Sequence, residues 1–205
     1  MVEGLRERKM RAARRSMERA AVDIAYEEGI AAVTVDRVCA AALVSRSTFF
    51  NYFASLDQAI FGSPLEYDPH AAERILERHS GDLMIAACLI VMDAVRGQSD
   101  DEVTRGRFAL FVREPGTVNA VSWASHESRE RLVLVIQTWL DRHPADARLP
   151  GADHSTEARL TVGLSIALGD EVLRHVREVD GEFPVDLAAL QEARRRIAAI
   201  SVPAD

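Results

Sequence analysis

The chain has 205 residues, 48% of them hydrophobic and 28% charged, and its formal net charge is −7 at pH 7. This composition predicts a folded protein with one large or two small domains. The longest apolar run, Leu83 to Met92, has half the length of a membrane-spanning helix, and no secretory signal is visible. Cys39 and Cys88 both fall in apolar helical runs and predict buried thiols rather than a disulfide or a metal site. We therefore expect a cytoplasmic protein with no membrane partner.

The charge is distributed unevenly along the chain. Residues 1–56 carry a net charge of +2, and residues 57–205 carry −9. Six basic residues lie at the start of the chain, around the beginning of the first helix, which is predicted from near Arg8 to Glu28 and ends at Gly29. They are Arg6, Arg8, Lys9, Arg11, Arg14 and Arg15. Such a run suits an arm that contacts nucleic-acid phosphates or a minor groove, and the alternative is a solvated helix face without a partner.

The next segment, Thr34 to Leu56, predicts two short helices joined by a tight turn. Thr34 can cap the first helix, Leu43 and Val44 form the turn, and Ser45 can cap the second. In the second helix Phe49 and Phe53 share one face, and the opposite face carries Ser47, Phe50 and Asn51. One face packs and the other is free to enter a groove. This is the pattern of a helix-turn-helix, and it indicates a DNA-binding regulator.

Over about residues 8–61 the sequence resembles the amino-terminal domain of the TetR family of one-component regulators. The positions that match the family pattern are Gly29, Ala42, Val44, Ser45, Thr48, Tyr52, Phe53 and Ser55. Two positions depart from it. Leu43 replaces the usual turn glycine, so we expect a backbone conformation there that a branched side chain tolerates. Leu56 replaces a common lysine, which removes one phosphate contact.

The geometry of such a motif assigns roles to its side chains. Hydroxyls of Ser45, Thr48 and Tyr52 are predicted to meet phosphates, and Thr34 is predicted to fix the other helix to the DNA backbone. Base edges are predicted to meet Arg46, Ser47, Phe50 and Asn51, with Arg46 suited to guanine and Asn51 to adenine. The arm contributes Arg8, Lys9 and Arg11. The alternative for Phe50 is that it turns inward.

A fourth helix is predicted after Ser55, and proline and glycine near Gly62 mark a domain joint. We therefore predict a helix-turn-helix domain at residues 1–61 and a helical domain at residues 62–205. The fold class is all-α, since no later segment alternates like a strand. Predicted helices in the second domain are residues 71–78, 82–96, 101–113, 117–142, 155–179 and 185–200.

The family resemblance implies that the second domain binds a small molecule and forms a homodimer through its last two long helices. Predicted dimer residues are Leu160, Gly163, Leu164, Ala167, Leu168, Leu187, Leu190 and Ile197, and the alternative is an intramolecular core. Predicted pocket residues are Met84, Cys88, Met92, Phe108, Phe111, Trp123 and His126, most of which we expect to be plain core. Asp93 and Glu114 are further polar candidates.

These features predict a sequence-specific regulator of a double-stranded DNA operator, namely a dimeric repressor released from a palindrome by an apolar inducer. Activation remains an alternative, because no residue fixes the sign of regulation. A second alternative is a helical scaffold whose helix-turn-helix no longer binds DNA. An enzyme is not expected: no phosphate loop or metal motif is present, no cofactor is implied, and the pair Glu171 and His175 is better explained as a salt-linked helix surface.

Overall fold

The computed structural model describes residues 4–98, 102–114, 125–177 and 185–201. All regular secondary structure within these residues is helical, which confirms the predicted all-α class. The α-helices are α1 (Leu5–Glu28), α2 (Val35–Ala42), α3 (Arg46–Tyr52), α4 (Leu56–Phe61), α5 (Pro69–His79), α6 (Leu83–Gln98), α7 (Glu102–Arg113), α8 (His126–Arg142), α9 (His154–His175) and α10 (Leu187–Ser201). Short 3₁₀ turns lie at Ile30–Ala32 and Pro144–Asp146.

Local capping explains where many of these helices begin. The side chains of Thr34, Ser45 and Ser55 each accept a hydrogen bond from the backbone N–H three residues later. Asp68 and Asp153 do the same for α5 and α9. Each cap satisfies one of the unpaired donors at a helix start. Because these signals are local, the predicted starts of α2, α3 and α4 agree with the structure.

Two helix ends differ most from the prediction. The last long helix was predicted to reach residue 179, but α9 ends at His175 because Val176 takes an extended backbone conformation. The helix predicted from residue 117 is α8, which starts at His126 behind the cap Ser125, and residues 117–124 lie outside the described part.

The first hydrophobic core combines α1, α2, α3, α4 and α7. Phe49 of α3 and Phe53, which directly follows α3, are buried in it, and α7 contributes Val103, Leu110 and Phe111. An added Cβ at Gly106 of α7 would lie 2.6 Å from Val22 Cγ1, so glycine permits the close approach of α7 to α1. Because α7 completes this core, packing alone does not separate residues 1–61 from the rest, and the domain division stays a prediction.

Arg107 of α7 joins three elements at this core. Its guanidinium donates to the carbonyl oxygens of Ile60 (2.9 Å) and Ala59 (3.1 Å) near the end of α4. It also forms an ion pair with Glu18 of α1 at 3.3 Å, and only 12% and 13% of the two side chains are exposed. The carbonyls of the last helical turn lack partners within the helix, so Arg107 satisfies acceptors there while fixing α4 to α1.

The remaining helices form two further cores. Helices α5, α6, α8 and α9 share one core that contains Trp139, and α6, α9 and α10 share another that contains Leu168 and Leu190. The connector before α9 is held to the body by Glu157, whose carboxylate accepts from the backbone N–H groups of Arg148 and Leu149. No helix in the described ranges is both long and apolar enough to cross a membrane.

Candidate nucleic-acid interface

Helix α3 presents one buried and one exposed face. Phe49 and Phe53 are 0% and 1% exposed, whereas Phe50 is 53% exposed and meets the ring of Phe49 edge to face, with 5.4 Å between the centroids. Ser47 and Asn51 are exposed beside Phe50. The alternative in which Phe50 turns inward is therefore not the arrangement found. The helix offers an amide, a hydroxyl and an aromatic ring to solvent, a set suited to base edges and thymine methyl groups.

The amino end of α3 carries a group of three hydroxyls. Ser45 Oγ accepts from the backbone N–H of Thr48 at 3.1 Å, and it lies 2.8 Å from Ser47 Oγ and 2.9 Å from Thr48 Oγ1. Thr34 caps α2 in the same way, accepting from the N–H of Arg37 at 3.3 Å. Two of the hydroxyls predicted to contact phosphate, Ser45 and Thr48, are thus positioned by the cap at the helix start.

Arg46 is oriented by an acidic neighbour on α2. Its Nη1 donates to Asp36 Oδ1 at 2.6 Å, and both side chains are mostly exposed. An exposed ion pair of this kind is weak, so a nucleobase edge can replace the carboxylate as the partner of the guanidinium. The sequence alone did not indicate a role for Asp36, because that role depends on a residue ten positions away.

The basic residues of α1 divide between two surfaces. Arg6 and Lys9 lie with Met10 beside Tyr52, at the exposed end of α3. Arg8 and Arg11 line a different groove, together with Arg15 and Arg19 and with residues of α7. Arg14 packs into the structure: it lies over the ring of Phe53 at 5.3 Å and donates to Ser63 Oγ at 2.7 Å. The predicted arm is therefore not one continuous surface.

Arg37 also has a structural partner. It donates to the carbonyl of Ala32 at 3.0 Å and to the carboxylate of Glu28, which joins α2 to the end of α1. This hydrogen bond holds the pKa of the Glu28 carboxyl below its usual value and raises the pKa of Arg37. Arg37 therefore binds Glu28 and Ala32 of its own chain and joins α2 to the end of α1.

The turn between α2 and α3 corrects one expectation. Leu43 has φ 55° and ψ 42°, the left-handed conformation that the family glycine would adopt, and not one that favours a branched side chain. Its N–H donates to Ala40 O, and the N–H of Val44 donates to Cys39 O, which together form a Schellman motif. The side chain is 92% exposed, so the conformation is strained without a packing clash. The other departure, Leu56, packs against the first core.

Replacing Leu43 with glycine is expected to raise the free energy of unfolding by about 1 kcal/mol, because glycine adopts this conformation without steric cost. The shift is measurable by urea denaturation followed by circular dichroism. Leu134→Gly, at an exposed position inside α8, is the matched control and should be destabilising. Equal destabilisation by both variants would contradict a strained turn.

An apolar cavity of about 80 Å³ lies in the carboxy-terminal region, bordered by α6, α7, α9 and the start of α10. Three predicted pocket residues line it: Cys88, Met92 and Phe108. Met84 is buried in the third core and Phe111 in the first, so these two are corrected to core residues. His126 is exposed at the start of α8, away from the lining, and Trp123 lies outside the described residues.

The predicted dimer residues also fall into two groups. Leu160, Gly163, Leu164 and Ala167 form an exposed stripe on α9, and Leu187 is exposed on α10. Leu168 and Leu190 are 0% and 1% exposed in the chain's own core, so for these two side chains the prediction of a partner contact is corrected. Ile197 is half-buried against the same core.

The candidate metal or catalytic pair, Glu171 and His175, belongs to a surface network. His175 Nδ1 lies 2.9 Å from the backbone oxygen of Glu171, and the Glu171 carboxylate pairs with Arg196 at 3.2 Å. Within the described residues no three His, Cys, Asp or Glu side chains come together as a metal site requires. The pair is therefore explained as part of an ion-paired surface that joins α9 to α10.

A capped, half-exposed helix that follows another short helix through a tight turn has the geometry of a helix-turn-helix DNA-binding domain, the domain of a transcriptional regulator. Residues 19–58 match the family model described as bacterial regulatory proteins of the tetR family. This match confirms the resemblance to the TetR family for residues 19–58. A comparison with curated proteins gives no match.

Solved structures similar to the chain include a TetR-family transcriptional regulator from Pectobacterium atrosepticum, with 17% identity, coverage of 94% of both chains and a TM-score of 0.42. Salmonella enterica GusR is 16% identical, with coverage of 92% of this chain and 94% of that one and a TM-score of 0.43. A gamma-butyrolactone receptor described as ArpA-like is 16% identical, with coverage of 91% and 97% and a TM-score of 0.37. Likenesses at these TM-scores identify no ligand for this chain.

Proposed function

We propose that the protein is a cytoplasmic, homodimeric repressor that binds a palindromic operator and is released by a small apolar inducer. The observation that supports this most directly is the exposed face of α3, where Ser47, Phe50 and Asn51 stand beside a capped helix start within a TetR-type domain. Phosphate contacts from Ser45, Thr48, Tyr52 and Lys9 would set position, and the α3 face would read bases.

The exposed apolar stripe on α9 supports the proposed dimer. Leu160 and Leu164 are 52% and 41% exposed one turn apart, and Leu187 of α10 is 40% exposed. Small residues between them allow a second copy of the two helices to approach closely. A two-fold dimer would place its two α3 helices on half-sites about 10 base pairs apart or a multiple of that.

Release would follow from a ligand in the cavity. Phe108 lines the cavity from α7, and Phe111 on the same helix packs against Phe61 of α4, with ring centroids 6.4 Å apart. A ligand that shifts α7 would therefore also act on the amino-terminal core. Such a ligand would weaken DNA binding by at most the difference between its binding free energies to two conformations of the dimer, the one that fits the operator and the one that does not.

Asp36→Asn is expected to raise affinity for DNA of any sequence by about threefold to tenfold at low salt, because it removes a negative charge and releases Arg46 toward the duplex. Fluorescence anisotropy on a random-sequence duplex measures the change. Asp57→Asn, an exposed acidic residue at the start of α4, is the control for the loss of charge alone. An effect no greater than that of the control would show that Asp36 does not restrain Arg46.

The dimer proposal is tested by Leu160→Arg combined with Leu164→Arg. Buried charges without partners prevent association, so we expect the variant to be a monomer in light scattering, to keep its helical circular dichroism, and to lose at least about 100-fold in affinity for a full palindrome. Arg159→Ala, on the same helix, is the control. A variant that remains dimeric would place the interface elsewhere.

A further inference from the structure

A basic groove lies between α1 and α7. It has a volume of about 680 Å³ and is lined by one side of α1 and by the start of α7. The charged residues of this α1–α7 groove are Arg8, Arg11, Arg15, Arg19, Glu102 and Arg105. Five arginines and one carboxylate leave the groove with a net charge of +4, although the whole chain carries −7. Charge of one sign that lines a concave surface attracts ions of the opposite sign, so the groove favours an anion.

The groove faces away from the reading helix. Successive residues of a helix are rotated by about 100°, so the four arginines that α1 contributes project within an arc of about 80°. Arg6 and Lys9, which lie beside Tyr52 at the exposed end of α3, project about 150° further around α1. A duplex that contacts α3 and Lys9 therefore lies on the other side of α1 from the groove.

One carboxylate already binds an arginine of the groove. Arg19 Nη1 donates to Glu102 Oε2 at 2.6 Å, and the two side chains are 59% and 62% exposed. Arg19 Nε also lies 3.8 Å from Asp23 Oδ2 on its own helix. Exposed pairs of this kind are weak, so an anion of higher charge can replace the Glu102 carboxylate. The positive end of the α7 dipole, at the start of that helix, adds to the attraction.

The length and the lining of the groove indicate a chain of phosphates. Arg8 and Arg19 are separated by a rise of about 16 Å along α1, which is longer than a single phosphate spans. Guanidinium groups suit phosphate oxygens because they donate two parallel hydrogen bonds. Among the described residues, the lining contains no aromatic side chain on which a nucleobase would stack. The groove is therefore suited to the phosphates of a ligand rather than to a base.

We propose that the α1–α7 groove is a binding site for a small linear polyphosphate, whose phosphates bridge the arginines of α1 and Arg105 of α7. Inorganic triphosphate and the phosphate chain of a nucleoside triphosphate share this chemistry. Helices α1 and α7 both belong to the first core, where Gly106 permits their close approach. A bound polyphosphate would stabilise that packing, since it binds only the folded arrangement of the two helices.

Calorimetric titration of the full chain with sodium triphosphate, without DNA, tests this site. We expect one triphosphate per chain, bound at least about tenfold more tightly than orthophosphate at the same ionic strength, because more charge-assisted hydrogen bonds form. Affinity should fall as salt rises. Adenosine triphosphate bound within about threefold of triphosphate would support recognition of phosphates alone, and binding tighter by about tenfold or more would support a nucleotide as the ligand.

Matched double variants locate the site on one side of α1. Arg15→Gln combined with Arg105→Gln removes an exposed guanidinium from each wall and should lower affinity for triphosphate at least about tenfold. Arg6→Gln combined with Lys9→Gln removes the same charge from the other side of α1 and should change it by less than about threefold.

Two single variants complete the test. Glu102→Gln removes the competing carboxylate and should raise affinity for triphosphate about threefold. Arg8→Gln changes one exposed side chain and should lower it about threefold, which tests the site even if the groove double variant does not fold.

The proposal is overturned if triphosphate does not bind at millimolar concentration, if orthophosphate binds as tightly, or if the Arg6 and Lys9 variant loses as much affinity as the groove variant. It is also overturned if the groove variant loses more affinity for random duplex DNA than the Arg6 and Lys9 variant does, because the groove would then serve the DNA backbone. The titration contains no DNA, so a failure of operator binding would not affect its outcome.

Discussion

Replacing Arg107 with methionine is expected to lower the free energy of unfolding by about 3 kcal/mol. This is the largest stability effect that we predict for a polar side chain of this protein. The substitution leaves the carbonyls of Ala59 and Ile60 without this donor and removes one partner of the largely buried Glu18 carboxylate. Arg14 remains as a second partner of Glu18 at 3.3 Å, which limits the loss. Guanidinium chloride denaturation followed by circular dichroism measures the change.

Arg105→Met is the matched control, since Arg105 is an exposed arginine two residues earlier on α7. We expect its effect to stay within about 0.5 kcal/mol. If the two variants shift the denaturation midpoint equally, Arg107 does not join α7, α4 and α1 in the way that its contacts indicate.

The second large effect concerns recognition. Arg46→Ala combined with Asn51→Ala is expected to lower affinity for the operator about 100-fold or more, because each base contact contributes roughly 1–3 kcal/mol of discrimination. Binding to unrelated DNA should fall far less, since phosphate contacts from Ser45, Thr48 and the basic residues of α1 remain. Both side chains are exposed, so the thermal unfolding midpoint should not change.

A suitable control is Arg142→Ala, which removes an exposed, ion-paired arginine of α8 far along the chain from α3. It should leave operator affinity unchanged. A folded double variant that still binds the operator as tightly as wild type would show that α3 does not read base edges and would favour the scaffold alternative.

The sequence predicted the helix-turn-helix because its signals are local. A capping hydroxyl and the backbone N–H that donates to it lie three residues apart, and Phe49 and Phe53 lie one turn apart, so both can be identified without knowledge of distant contacts. The fold class and the exposed character of Phe50 followed from the same periodicity.

Features that depend on distant contacts were not predicted. Arg107 meets residues 47 and 48 positions away, and Gly106 is required by Val22, so neither was distinguishable from any other residue of an amphipathic helix. The leucines of α9 could not be divided into exposed and buried ones from the sequence for the same reason. Leu164 and Leu168 lie four apart on α9, yet Leu164 is exposed and Leu168 is buried against α6 and α10. Only the tertiary arrangement decides which of the two a partner could reach.

Leu43 illustrates a different limit. Its sequence position indicated a turn, and its branched side chain favoured a conformation other than the left-handed one that it adopts. The requirement of the Schellman motif at the end of α2 outweighs the intrinsic preference of a single exposed residue. Propensity is a weak guide where two helices fix the backbone between them.

The central claim, that this is a dimeric reader of specific DNA, is tested most directly by selecting bound duplexes from a random library and titrating the enriched sequence at several salt concentrations. The account predicts an enriched palindrome, two chains bound per duplex, and affinity that falls steeply as salt rises. A folded protein that enriches no sequence, or that binds all duplexes equally, would contradict it.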